Sequence, residues 1–186
     1  MNAVIAERPL APASAVPSIQ PDTRLGTSIA STLSAEYLTF RLGDEEYGID
    51  ILRVQEIRSY ESPTRIAGAP HGVLGVVNLR GVIVPIVDLR LQMEYGSSEP
   101  SASMVVIVLH LAGRVIGTVV DAVSDVVALP AGSIKPAPAL SASGATGHII
   151  GIGCVKNGDA ERMLILTDIA ALLRASNPDL LDGPAD

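Results

Sequence analysis

The chain has 186 residues, a net charge of −7 and no cluster of Lys or Arg, so it lacks the concentrated positive charge that neutralises nucleic-acid phosphates. Its mean hydropathy is +0.40, but apolar runs such as 104–112 are shorter than the roughly 20 residues that span a bilayer, which argues against direct membrane insertion. A single cysteine, Cys154, cannot form an internal disulfide and favours a reducing, cytoplasmic location.

The two ends of the chain have the composition of flexible segments. Residues 1–34 are rich in Ala, Pro and Ser, and such a segment buries too little apolar surface to offset its ordering entropy. Pro178 and Gly183 discourage a long helix near the C-terminus. We therefore predict a flexible extension over 1–34, a folded domain over 35–175 and a frayed tail over 176–186.

The folded domain begins with a strand pattern. Residues 36–49 alternate apolar and polar side chains on either side of a polar turn, the period of a half-buried strand pair. Ile51, Val54 and Ile57 follow at helical spacing, which predicts a short helical turn.

Three hairpins are predicted further along the chain. Two β-branched runs, 73–77 and 82–87, flank the sequence NLRG, in which Gly81 supplies the backbone freedom of a tight connection. Apolar runs also flank Ala112-Gly113, and another pair flanks Asn157-Gly158, a strong hairpin signal. The chain is therefore predicted to be mainly β.

Parts of the chain repeat one another. An offset of 69 residues aligns 47–57 with 116–126, and a second alignment sets Asp88 over Asp168. In the second pair a strand leads to an acidic residue, which is a good N-cap, and then to a short apolar helix. Two similar β-units explain both alignments, and chance similarity between valine-rich strands is the alternative.

The residues that carry most enzyme chemistry are few and scattered. His71, His110, His148 and Cys154 include no pair with metal-ligand spacing, and the glycines of 151–153 are not followed by the Lys-Ser/Thr of a phosphate loop. We therefore predict no enzyme activity, no metal and no cofactor. The alternative is a small-ligand-binding or catalytic β-barrel, which requires a deep polar pocket with convergent titratable groups.

Arg80 lies between two apolar runs, at the tip of the predicted NLRG hairpin. Its guanidinium carries five donors in a planar fork and is suited to carboxylates and carbonyls on another protein. A solvated turn arginine is the alternative.

The chain resembles the CheW family, the coupling proteins of bacterial chemotaxis. The resemblance covers about 36–174 and rests on several motifs in order: FRLGDEEYGIDILRVQEI, TRIA, NLRGVIVPIVDLR, VVDAVSDV, KPAP and RMLILTDI. It implies a mainly β fold of two SH3-like five-stranded β-barrel subdomains with short helices. It also implies a non-enzymatic, cytoplasmic scaffold, recruited to membrane-associated receptor arrays. There the scaffold would link the cytoplasmic tips of chemoreceptors (methyl-accepting chemotaxis proteins) to the regulatory domain of the histidine kinase CheA.

The resemblance also implies two binding sites. A groove between the barrels would hold the helical receptor tip, with apolar anchors that exclude water and charged residues at the rim. The receptor-binding residues would be Ile51, Val54, Glu56, Gly75, Arg80 and Val123. The kinase-binding residues would be Leu74, Ile83 and Leu140, the last at a position where relatives can carry an aromatic. The long N-terminal extension and a lengthened hairpin around 154–161 depart from the family pattern.

Overall fold

The computed structural model describes residues 34–96, 103–137, 147–157 and 160–182. Strands make up most of these residues, in agreement with the predicted fold class. The strands are β1 (Ser34–Leu42), β2 (Glu45–Asp50), β3 (Val54–Ser59), β4 (Val73–Leu79), β5 (Val82–Asp88), β6 (Val105–Leu111), β7 (Arg114–Val120), β8 (Ala122–Pro130), β9 (Ile134–Lys135), β10 (Ile149–Asn157) and β11 (Ala160–Thr167). The helices are α1 (Leu89–Gln92), α2 (Ile169–Ser176) and α3 (Asp179–Asp182), with single 3-10 turns at Ile51–Arg53 and Ala131–Ser133.

The strands form two sheets, each curled into a barrel. Sheet 1 has the order β8-β1-β2-β11-β10-β9, and sheet 2 has the order β3-β6-β7-β5-β4. In sheet 1, β8 at one edge leads through a short turn into β9 at the other edge, which closes the barrel. In sheet 2, Thr64 follows edge strand β3 and bridges Val76 in β4 at the opposite edge. The sixth strand of sheet 1, β9, has only two residues. It takes the place in sheet 1 that the isolated Thr64–Val76 bridge has in sheet 2.

The internal repeat is confirmed, and its two units exchange a strand. By the 69-residue offset, β1, β2 and β3 correspond to β6, β7 and β8. However, β3 pairs with β6 in sheet 2, where Val54 lies opposite Leu109, and β8 pairs with β1 in sheet 1, where Val123 lies opposite Phe40. Each unit therefore completes the sheet of the other, which joins the two barrels through the chain itself.

The second alignment is confirmed as a pair of strand–cap–helix units. The Asp88 carboxylate accepts a hydrogen bond from the Arg90 amide at 2.9 Å, and the Asp168 carboxylate accepts one from the Ala170 amide at 3.0 Å. Each aspartate therefore begins a helix by satisfying an amide that lacks a partner within the helix. Burial raises the pKa of Asp88, against the opposing effect of the Arg90 and Leu91 amides.

Three apolar clusters pack within the described part of the chain. Sheet 1 encloses one around Leu164 and Leu166, and sheet 2 encloses another around Val84 and Val108. The largest cluster, here called the central core, has side chains from both sheets and from the C-terminal helices. Its buried members are Leu38, Phe40, Leu42, Tyr47, Ile49, Val87, Leu89, Ile107, Leu109, Leu111, Ile116, Val120, Ile169, Leu172, Leu173 and Leu181.

Two local predictions differ from the structure. A 3-10 turn forms at Ile51–Arg53, where the Asp50 carboxylate accepts from the Leu52 amide at 2.9 Å, but Val54 and Ile57 lie on strand β3. A register shift after Val54 breaks the strand period and produces the misleading helical spacing.

The predicted C-terminal tail also differs, because α3 places Leu181 in the central core with 4% exposure. Helix α2 ends two residues before Pro178, and the second short helix begins directly after this proline. Residues 1–33 and 183–186 lie outside the described ranges. Within the described part of the chain, no helix is long and apolar enough to cross a membrane.

Candidate partner-binding site

Arg80 occupies the tip of the β4–β5 hairpin, as predicted. Leu79 pairs with Val82, so the loop has two residues, and both Arg80 and Gly81 have positive φ, at 54° and 92°. Positive φ at both positions is characteristic of the type I′ turn that matches strand twist. The Arg80 side chain is 78% exposed.

A carboxylate on the neighbouring edge strand contacts this guanidinium. Arg80 Nη2 donates to Glu56 Oε2 at 3.1 Å, and Arg58 Nη1 lies 3.8 Å from Glu56 Oε1. Glu56 and Arg58 are two residues apart on β3 and so share a face. Exposed ion pairs contribute about 0–1 kcal/mol to stability, so we expect Glu56 to orient Arg80 without holding it away from solvent.

The three apolar residues predicted for receptor binding lie at the strand exchange. Ile51, Val54 and Val123 are each half-buried and pack against the central core. Val54 and Val123 are equivalent in the repeat, one on each exchanged strand. They present part of their surface to solvent where the two barrels are joined.

Gly75 has a different environment from the rest of the predicted receptor set. It is buried with a φ of 145°, and a methyl group there would overlap the Thr64 carbonyl, which belongs to the segment that closes the barrel. Its backbone conformation and its close contact with Thr64 therefore explain why this residue is glycine.

The predicted kinase-binding residues also lie in sheet 2, as far as they are described. Leu74 is the extra residue in a β4 register shift and packs partly against the sheet 2 cluster. Ile83 on β5 is 61% exposed, beside Val82 at 54%. Leu140 lies outside the described residues.

Two residues of the site were missed by the sequence analysis. Arg58 contacts Glu56, and the Asn78 side-chain oxygen accepts from the Gly81 amide at 2.7 Å. Asn side chains commonly bond to backbone a few residues ahead in turns, so the Asn of NLRG was a usable signal.

A cleft opens in sheet 2 between β3 and β4. Its volume is about 220 Å3, with Arg58, Thr64 and Asn78 among its polar lining and Ile86 and Val106 among its apolar lining. Sites for drug-sized ligands usually have about 300–1,000 Å3. The described residues contain no group of three or more His, Cys, Asp or Glu that could hold a metal.

Comparison with known proteins agrees with this architecture. A family model described as the CheW-like domain matches residues 36–177. The chain belongs to the CheW-like family. It is 50% identical to chemotaxis protein CheW of Klebsiella aerogenes over 154 residues, which cover 83% of this chain and 90% of that relative. It is 35% identical to the probable chemotaxis protein CheW of Rhizobium etli over 137 residues, covering 74% of this chain and 86% of that one.

A solved CheW structure extends the agreement to three dimensions. The crystal structure of the scaffolding protein TtCheW from Thermoanaerobacter tengcongensis matches with a TM-score of 0.65 and 31% identity, covering 76% of this chain and 88% of that one. The prediction of two SH3-like barrel subdomains is therefore confirmed. The CheW family resemblance predicted from the motifs is confirmed as well.

Proposed function

We propose that this chain is a non-catalytic chemotaxis scaffold that couples chemoreceptor tips to the histidine kinase CheA. Its 50% identity to a chemotaxis protein CheW and its structural match to a scaffolding protein support this role. The observation that carries the proposal is Arg80, whose guanidinium is 78% exposed at a hairpin tip and oriented by Glu56. The chain works in the cytoplasm, recruited to membrane-associated receptor arrays.

The receptor tip is the partner of the strand-exchange region. Half-buried Ile51, Val54 and Val123 supply apolar contacts for an amphipathic helix, in the manner of helix-in-groove recognition. Arg80 and Glu56 set the register at the rim. The Arg80 fork has five donors, and its bond to Glu56 leaves others available to a carboxylate or carbonyl on the receptor.

The kinase is the partner of the outer surface of sheet 2. Ile83 exposes an apolar side chain on β5, and Leu74 lies on β4 of the same hairpin. Apolar side chains at the centre of a contact commonly supply most of its binding energy. Individual dissociation constants near micromolar, a binding free energy of about −8 kcal/mol, are sufficient. In an array, many linked weak contacts together give a stable assembly.

Reconstitution tests the proposal. Purified chain, a receptor cytoplasmic fragment clustered on vesicles and CheA are combined, and CheA autophosphorylation is measured. We expect stimulation of kinase activity that requires both the receptor fragment and the chain. Equal activity with and without the folded chain, when a known CheW stimulates the same kinase preparation, would contradict the proposed function.

A further inference from the structure

Among the described residues, two hairpin turns have positive φ at both loop positions, and only one of these two carries a large charged residue. Arg80-Gly81 has φ values of 54° and 92°, and Ala112-Gly113 has φ values of 51° and 82°. Each pair forms a two-residue loop, because Leu79 pairs with Val82 and Leu111 with Arg114. A non-glycine residue in the left-handed region is disfavoured, so an interaction within the turn gives local support to the conformation of Arg80.

That support comes from the side chain two residues before Arg80. The Asn78 Oδ1 atom accepts a hydrogen bond from the Gly81 amide at 2.7 Å, and this bond spans Leu79 and Arg80. Asn78 is exposed and lies opposite Ile83 on the hairpin, so its side chain contributes little to the core. The hydrogen bond is its evident contribution.

We propose that Asn78 is a positioning residue for Arg80 in receptor recognition; this inference rests on the proposed function. The bond from Gly81 to Asn78 holds Arg80 at positive φ, the conformation from which its guanidinium reaches Glu56 at 3.1 Å. If the turn relaxes to negative φ at Arg80, the direction of the side chain changes and the contact with Glu56 is lost. Asn78 thus reduces the ordering cost that Arg80 pays on binding.

A double-mutant cycle tests this inference on the full chain. Affinity for a receptor-tip fragment is measured for the wild type, Asn78→Ala, Arg80→Ala and the double variant. We expect Asn78→Ala to weaken binding about fivefold, the scale of one net hydrogen bond, and to have no further effect when Arg80 is already alanine. Ala112 adopts a similar positive φ at the equivalent position of the other turn, so alanine at position 80 is compatible with this loop.

Matched variants separate positioning from general damage. Asn78→Asp keeps the oxygen acceptor and is expected to bind within about twofold of the wild type. His110→Ala changes the exposed residue two positions before Ala112 in the other turn and is expected to bind normally. Amide exchange at Gly81 is expected to accelerate about fivefold in Asn78→Ala and to stay unchanged in His110→Ala.

Each result decides the inference. Equal weakening by Asn78→Ala in the presence and absence of Arg80 means that Asn78 contacts the receptor itself, which overturns a positioning role. Unchanged affinity or unchanged Gly81 exchange in Asn78→Ala overturns this inference alone, provided that the wild type binds. A wild type that fails to bind the fragment overturns the proposed function and this inference with it.

Discussion

Replacement of Arg80 by glutamate is expected to weaken receptor-tip binding by more than about a hundredfold while the fold stays intact. The change places a carboxylate beside Glu56 and removes the cationic fork, and like charges juxtaposed at an interface cost several kcal/mol. Because the Arg80 side chain is 78% exposed, we expect the free energy of unfolding to change by less than about 1 kcal/mol.

Co-sedimentation with receptor-bearing vesicles measures this loss, and circular dichroism with thermal melting verifies the fold. Lys156→Glu is the matched control, because it makes the same charge change on the exposed end of β10 in sheet 1, opposite Glu161. The control is expected to co-sediment normally. Normal co-sedimentation of a folded Arg80→Glu variant would remove Arg80 from the receptor site.

Replacement of Gly75 by alanine is expected to lower the free energy of unfolding by about 3 kcal/mol. The new methyl group would meet the carbonyl oxygen of Thr64, and the φ of 145° is one that side-chain-bearing residues rarely adopt. Thr64 and Val76 exchange two backbone hydrogen bonds of 2.9 Å, which close the sheet 2 barrel. The expected loss of stability therefore comes from moving Thr64 away from Val76, which weakens these two hydrogen bonds.

Urea unfolding measures the effect, with two further glycines for comparison. Gly151→Ala is expected to destabilise as well, since its methyl group would lie 2.7 Å from the Lys135 carbonyl oxygen at the equivalent closure of sheet 1. Gly132→Ala has open space around the new methyl group and is expected to be close to neutral. A Gly75→Ala protein of wild-type stability that no longer binds receptor would instead assign Gly75 to direct contact.

Local features of the fold could be predicted from the sequence because their causes lie within a few residues. Turn chemistry gave the hairpin at Arg80-Gly81, and an acidic residue between a strand and an apolar run gave the caps at Asp88 and Asp168. The repeat was visible because equivalent strands keep the same spacing. These signals need no knowledge of distant partners.

The strand exchange could not be predicted from local pattern. Strand β8 pairs with β1 in sheet 1, and a register shift after Thr39 places Phe40 opposite Val123. The Thr39 hydroxyl donates to the Asp125 carbonyl and accepts from the Asp125 amide. Such long-range pairing leaves no periodic trace in either segment. The burial of Leu181 could not be predicted for the same reason, because most of the central core is distant from it in the sequence.

The candidate site also has some features that could be predicted from local sequence and others that could not. The exposure of Arg80 followed from its turn, whereas its contact with Glu56 joins residues on two strands that are not sequence neighbours. The set of receptor and kinase residues came from family resemblance, and the structure adds that Gly75 has a packing reason for being glycine. Which of these residues a partner touches stays a prediction.

Methyl NMR with a receptor-tip fragment tests the central claim most directly. We predict that the methyl signals of Ile51, Val54 and Val123 shift on titration, while those of Ile150 and Met163, exposed elsewhere on sheet 1, stay in place. Shifts confined to Ile150 and Met163, with the signals of Val54 and Val123 unmoved, would contradict it.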